Sequence, residues 1–307
     1  MSVVIGSRGS ALALWQANWA KDSLEASFPH LEVEIKVIKT EGDRQAEVPL
    51  AQIGGKEVWT KEIELSLLSG EIDLAVHSLK DLPTQLPCGL CLGAVSTRED
   101  ARDALVANNN ILFAELPEGA TIATSSLRRQ AQLSAARPDL VFVPIRGNVD
   151  TRLKKLETEA LDGIILAAAG LKRLGLGDRI TECIDPSICI PAPGQAALGI
   201  EIREGDQRVS EWVEVLNDAE THCAVRAERA MLEHLGGGCR VPIGGFAEFD
   251  SVSIEVLILS GVVATPDGEQ VIHKKIEAQA GQSEQLGIRV AKGLLAQGAG
   301  EILEALV

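Results

Sequence analysis

No apolar run in this 307-residue sequence approaches the roughly 20 residues that a membrane-spanning helix needs, so no membrane partner is expected. Positive charge is also in short supply: 29 lysines and arginines stand against 44 aspartates and glutamates, a net charge of −15. Without a lysine-rich run or a basic stripe with interleaved aromatics, such a chain would repel a phosphate backbone, and nucleic acid is not an expected partner. Cysteine is sparse, at the irregular positions 88, 91, 183, 189, 223 and 239, which argues against a disulfide scaffold and for a reducing compartment. The five histidines are scattered and form no H-E-x-x-H, so no metal site is expected. "IGGKE" lacks the upstream glycine of a phosphate-binding loop, and no G-x-G-x-x-G follows a strand, which leaves nucleotide binding unsupported. Low-complexity segments and fixed-period repeats are lacking too. Met1 leads within two residues into the strand-like "VVIGS", with no room for a signal or transit peptide, and the expected location is the cytoplasm.

What is present reads as an α/β protein. An apolar content of 46% with 24% charged residues describes an ordinary globular chain, long enough for two or three domains. Strand-like and helical patterns alternate from Val3 to Gly170: "VVIGS", a helix carrying Leu12, Trp15, Trp19 and Leu24, "VEIKV", a helix carrying Trp59, Ile63 and Leu67 that Gly70 can cap, and "IDLAVHS". The pattern recurs with "TIAT", "SSLRRQAQLSAA", "LVFVPI", "TRLKKLETEAL" and "GIILAAAG", which predicts two α/β lobes. The charged segment "STREDARD" (96–103) and the Pro/Gly-rich "PAPGQAA" (191–197) are hinge candidates, and "ALGIEIR" is a strand that can return to the first lobe. A long helix over Ala219 to Leu235, three alternating strands and a closing helix from Ser283 predict a small α+β third domain. The division expected is 1–98 with 197–216, then 99–196, then 217–307.

Ligands of open α/β sheets collect at the carboxyl ends of strands. Four segments there join a basic side chain to Ser, Thr, Gly or Asn: Arg8, "HSLKDLP" (77–83), "TSSLRRQ" (124–130) and "IRGNVDTR" (145–152). A helix opening with Thr124, Ser125 and Ser126 ahead of Arg128 and Arg129 suits a carboxylate or phosphate, or is an N-cap followed by solvated arginines. Gly147 after Arg146 lets backbone amides approach a ligand, or marks a turn; Arg152 and Arg173 can equally be helix-surface charges. Asp81, between Lys80 and Pro83 at a strand end, is placed to donate and retrieve a proton, or is a turn aspartate. The "CGLC" of 88–91 has redox spacing but turn character and no partner pair. Cys239, in "GGGCRVPIG", is either a small packed thiol or a loop nucleophile beside Arg240.

Taken in order, "SRGSALALWQA", "IGGKEVWTKEIE", "DLAVHSLKDLP", "TSSLRRQAQL", "IRGNVDTRL", "AAAGLKRLGL", "PAPGQAALGIE" and "GGGCRVPIG" resemble the porphobilinogen deaminase (hydroxymethylbilane synthase) family nearly end to end. The resemblance implies two periplasmic-binding-protein-like lobes around a central cleft plus a C-terminal α+β domain, and a monomer. It implies a transferase of tetrapyrrole and haem biosynthesis that joins four porphobilinogens on a dipyrromethane primer, loses ammonia at each addition, and hydrolyses off hydroxymethylbilane. Cys239 matches the thioether attachment point of the dipyrromethane, and Asp81 the catalytic aspartate. By the same motif match the resemblance implies that Arg8, Arg128, Arg129, Arg146, Arg152 and Arg173 take up substrate and cofactor carboxylates, with Ser10, Lys56, Ser78, Lys80, Thr124, Ser125, Ser126, Gly147, Asn148 and Gln195 beside them. There are departures: many members have Pro at Ala11, Lys at Gln52, "GGKGLF" for "GGKEVW", Arg at Glu41 and Gly at Ala196. A non-catalytic two-lobed binding protein for a small polycarboxylate, and a thiol redox protein using Cys88 and Cys91, are the competing readings.

Overall fold

The computed structural model describes residues 1–44, 60–237 and 241–306; the expectations placed on Lys56, Trp59 and Cys239 lie outside the described residues. The chain runs β1 (Ser2–Ser7), α1 (Ala11–Ser27), β2 (Glu32–Val37), the single turn α2 (Glu41–Arg44), α3 (Lys61–Leu68), β3 (Leu74–Ser78), β4 (Leu90–Val95) and β5 (Asp103–Ala107). It continues with β6 (Thr121–Ala123), α4 (Leu127–Ala136), β7 (Val141–Val143), α5 (Val149–Thr158), β8 (Gly163–Ala167), α6 (Ala168–Arg173), β9 (Glu182–Cys183) and β10 (Leu198–Arg203). The last elements are α7 (Gln207–Val213), α8 (Ala219–His234), β11 (Ile243–Phe249), β12 (Val256–Ala264), β13 (Val271–Gln279), α9 (Ser283–Leu295) and α10 (Ala299–Glu304).

Two compact units result, one of Met1–Glu99 with Ala196–His222, the other of Asp100–Gln195 with Cys223–Val307. The sheet of the first has the order β2-β1-β3-β10-β4, with β1 parallel to β2 and β3, and β10 antiparallel to both of its neighbours. The strand "ALGIEIR" does return to this sheet. On one face, Val3, Ile5, Leu74 and Val76 pack against Ala17, Ala20 and Leu24 of α1; on the other, Ile63 and Leu67 of α3 cover Ile72, Ala75 and Leu90. The buried stripe of α1 is Gln16, Ala17, Ala20 and Leu24, while Trp15 is 37% exposed. Trp19 packs partly buried against the same core, so the helical spacing identified the helix, and Trp15 alone of the two tryptophans lies at its outer margin. Alanines let a helix lie close on a sheet, and an indole there would hold it off.

The five-stranded sheet of the second unit, β7-β6-β8-β5-β9, repeats that layout. β6 is parallel to β7 and β8, and β5 runs antiparallel between β8 and β9. In each sheet the fourth strand is the one out of local chain order, β10 in the first and β5 in the second. The three-stranded antiparallel sheet β11-β12-β13 has its own core, in which Met231 of α8 and Leu286, Val290 and Leu294 of α9 meet Leu257, Leu259 and Val263. One local expectation needs correction: the middle strand of the C-terminal sheet starts at Val256, five residues beyond Ser251. Cys88 and Gly89 form a turn that leads Cys91 into β4, and the boundary between the two units falls within 96–103, whose last residue opens β5.

Candidate active site

The first unit presents the ends of β1 and β3, neighbouring parallel strands, on one edge of its sheet. After β1 come Arg8, partly buried, and Ser10, whose hydroxyl accepts the Ala13 N–H at 3.3 Å and caps α1. Buried Gln16 of α1 reaches across and donates from Nε2 to Ser78 Oγ at 2.8 Å, tying the helix to the end of β3. The chain then makes a single 3₁₀ turn over Leu79–Asp81. Leu79 and Leu82 are buried, the Leu79 N–H donates to Ala197 O at 3.0 Å, and the Leu82 N–H donates to Leu79 O at 3.2 Å. Two apolar anchors thus hold a turn whose polar residues face outward: Lys80 is half-buried, and Asp81 is exposed with no hydrogen-bond partner among the described residues.

Gly199 is a residue of this site that the sequence reading missed. It lies on β10 opposite His77, and a Cβ there would stand 2.8 Å from Leu79 Cδ1 and 3.6 Å from Leu82 Cδ2. The leucines that anchor the Asp81 turn sit on its bare backbone. The two-residue alternation of "ALGIEIR" carries no sign of that contact.

In the second unit the corresponding edge is formed by the ends of β6, β7 and β8 and the start of β5, where Asp103 pairs with Ala167. Buried Thr124 accepts the Ser126 N–H on Oγ1 at 3.2 Å. The Ser125 hydroxyl donates to Ile145 O at 2.7 Å and accepts the Ile145 N–H at 3.0 Å, which ties the loop after β6 to the loop after β7. Ser126 accepts the Arg129 N–H at 3.4 Å as the N-cap of α4. The capping expectation holds, but the arginines are not solvated: Arg128 is 5% and Arg129 6% exposed.

Both converge on Asp103, which is fully buried. Arg128 donates from Nη1 to Asp103 Oδ2 at 2.7 Å and to Ile190 O at 2.8 Å. Arg129 donates from Nε to Asp103 Oδ1 at 2.9 Å, holds the same oxygen through Nη2 at 2.7 Å, and donates from Nη1 to Ile165 O at 3.0 Å. Gln195, also buried, donates from Nε2 to Asp103 Oδ1 at 2.9 Å and to Ala101 O at 2.7 Å, and the Cys189 thiol points at Oδ2 from 3.4 Å. Burial would raise the Asp103 carboxyl, but the charges of Arg128 and Arg129 and their hydrogen bonds outweigh it and hold the group well below the usual carboxylate range. For Cys189, burial first and then the Asp103 charge push the thiol up to about 12, so it is an inert structural thiol.

The loop after β7 completes this edge. Gly147 has φ 114°, and a Cβ there would meet the Thr151 side chain at 2.6 Å, so both conformation and space require glycine. Its carbonyl accepts from Arg152 Nε at 2.8 Å. Asn148 is the N-cap residue of α5 without a side-chain cap bond, leaving the first amides of that helix for another acceptor. Arg146 is partly buried and has no partner among the described residues, and Arg173 lies on the last turn of α6, partly buried. Among the described residues no group of three or more His, Cys, Asp or Glu could hold a metal, and no helix is long and apolar enough to cross a membrane.

The geometry is therefore an exposed carboxylate on a braced turn in one unit and a set of anchored guanidiniums, hydroxyls and helix amides in the other. Residues 3–211 match the family model described as porphobilinogen deaminase, dipyromethane cofactor binding domain, and residues 222–296 match the porphobilinogen deaminase C-terminal domain. The porphobilinogen deaminase of Syntrophotalea carbinolica is 52% identical over 302 residues, 98% of this chain and 95% of that protein. That of Geobacter sulfurreducens is 52% identical over 299 residues, 97% of this chain and 93% of that protein. Among solved structures, the crystal structure of the methionine binding protein MetQ aligns at a TM-score of 0.43 with 12% identity, over 72% of this chain and 92% of that one. With both family models matched and half of all positions shared over nearly the whole length, this chain belongs to the porphobilinogen deaminase family, transferases of tetrapyrrole synthesis.

Proposed function

We propose that this chain condenses four porphobilinogens head to tail onto a dipyrromethane primer carried as a thioether on Cys239, then hydrolyses off hydroxymethylbilane. The observation that carries the reading is Asp81, an exposed carboxylate without a partner of its own on a turn braced by Leu79 and Leu82. Each addition breaks the C–N bond of an aminomethyl group, releasing ammonia, and forms a C–C bond between that methylene and a pyrrole α-carbon, which then loses its proton. Asp81 supplies the proton to the leaving nitrogen and collects the one from the α-carbon, so it ends each addition as it began. Between those two events its carboxylate stabilises the positive charge on the methylene-pyrrole unit.

When bound, the dipyrromethane supplies the first free pyrrole α-carbon. The donors present suit a group that carries carboxylates, since Arg146 is unpartnered among the described residues and α5 opens with uncapped amides. An acetate and a propionate on each ring bring about a dozen carboxylates with a six-ring chain, and bidentate guanidiniums are the side chains that match them. In this reading Arg8, Arg128, Arg146, Arg152 and Arg173 take carboxylates, Lys80 adds charge beside Asp81, and Ser10, Ser78, Thr124, Ser125, Ser126, Gly147 and Asn148 hold the loops or donate to the ligand. Arg129 and Gln195 serve the same site from within, and Lys56 joins it from the segment before α3. The enzyme works as a monomer in the cytoplasm. The test is the intact mass of the purified chain: a dipyrrole increment, absent from Cys239→Ser, is expected, and active enzyme of unmodified mass would contradict it.

A further inference from the structure

Asp103 accepts from Arg128, Arg129 and Gln195 and has the Cys189 thiol at its second oxygen, so its own charge is spent inside the protein. The two guanidiniums are not gripped alike. Arg129 is held along its Nε and Nη2 edge, and its Nη1 is bound to Ile165 O. Arg128 is held only through Nη1, by Asp103, Ile190 O and the Cys189 sulfur. Its Nε and Nη2 bond to nothing among the described residues, and neither is a buried atom lacking a partner, so that edge reaches the surface. The Nε and Nη2 edge of a guanidinium is the fork that takes a carboxylate with two parallel hydrogen bonds. Two cations adjacent in sequence and desolvated together would repel each other; one carboxylate between them cancels one charge, fixes both planes and leaves a net charge of +1.

We infer that Asp103 is a positioning residue for ligand binding: it clamps Arg128 by Nη1 so that the open fork meets a pyrrole carboxylate, with Arg129 and Gln195 holding Asp103. This rests on the reading of Arg128 as a carboxylate-binding residue. Asp103 sits in "STREDARD", the charged hinge candidate, and neither the family models nor the relatives' names give it a role.

Charge alone predicts the opposite result. Removing an anion from the site would strengthen its hold on carboxylates, whereas loss of positioning weakens it. The experiment uses the full-length chain in the Asp81→Asn background, which halts turnover, and titrates it calorimetrically with porphobilinogen; KM and kcat are measured in parallel with Asp81 restored. Asp103→Asn is expected to weaken affinity and raise KM by roughly tenfold or more, the scale of a charge-assisted hydrogen-bond pair, with a much smaller change in kcat. Unchanged or tighter binding by folded Asp103→Asn overturns the inference. If that variant does not fold, Asp103→Glu keeps the charge and moves it by one methylene, and it is expected to show the same rise in KM; wild-type KM in folded Asp103→Glu overturns it, and failure of both to fold assigns Asp103 to stability instead. Arg128→Lys separates the two levels. If it binds porphobilinogen like wild type, the reading of Arg128 fails, and if it binds weakly while Asp103→Asn does not, only the positioning role fails.

Discussion

The two five-stranded sheets have the same strand layout and put a carboxylate at the same edge, yet Asp81 and Asp103 live in opposite surroundings. Asp81 follows the third strand of its sheet on an exposed turn and is bonded to nothing among the described residues. Asp103 opens the out-of-order strand of the other sheet, is fully buried, and meets two guanidiniums, an amide and a thiol. The first is the group to which the proposal assigns proton transfer; the second cannot give up its charge without stranding two buried cations. In the proposed reaction one framework serves proton transfer in one unit and anion holding in the other, and burial separates the two carboxylates.

The comparison predicts a double dissociation. Asp81→Ala is expected to lower kcat by about 10²–10⁴-fold, the span of general acid–base catalysis, while its melting temperature stays near wild type. Asp103→Ala should cost about 3–5 kcal/mol of stability by breaking a buried ion network from one side, readable in denaturant titration. An Asp81→Ala that unfolds, or an Asp103→Ala as stable as wild type, would erase the contrast. The pH dependence carries the same contrast. The folded Asp103 carboxyl is held below its unfolded value, so its stabilisation is present above about pH 4 and declines as pH falls below that. Acid unfolding of Asp103→Asn should accordingly be flatter below about pH 4 than that of wild type.

A smaller effect belongs to Ala196, the first residue of the segment that returns to the first unit. It has φ 74°, the left-handed region that favours glycine. Ala196→Gly should gain about 1 kcal/mol in unfolding free energy with little change in kcat. Smallest of all is a difference in thiol reactivity. At about pH 8 an alkylating reagent should label exposed Cys88 quickly and leave Cys189 intact in the folded protein, a pattern that peptide mass mapping reads directly.

Much of this was legible from local pattern. Alternation and helical spacing located most strands and helices, and Ser126 was recognisable as a cap because N-capping is a property of three or four consecutive residues. Asp81 stood out because a strand end, a lysine and a proline surround it. What escaped were relations between distant residues. Asp103 lies 25 and 26 positions from its arginines and 92 from Gln195, and nothing in "STREDARD" distinguishes the one fully buried carboxylate from its neighbours. Gly199 escaped for the same reason, since the leucines it accommodates belong to a different strand end. The apolar spacing of α1 located the helix, and Trp19 packs against the core, but spacing did not tell that Trp15 would be 37% exposed while Ala17 and Ala20 are fully buried.

The central claim is that Asp81 performs the repeated proton chemistry on a chain anchored at Cys239, and intact-protein mass of Asp81→Asn after incubation with porphobilinogen tests it most directly. The account predicts a protein that carries the dipyrrole increment and adds further pyrrole units at least about a hundredfold more slowly than wild type. A ladder of added pyrroles growing at the wild-type rate would contradict it.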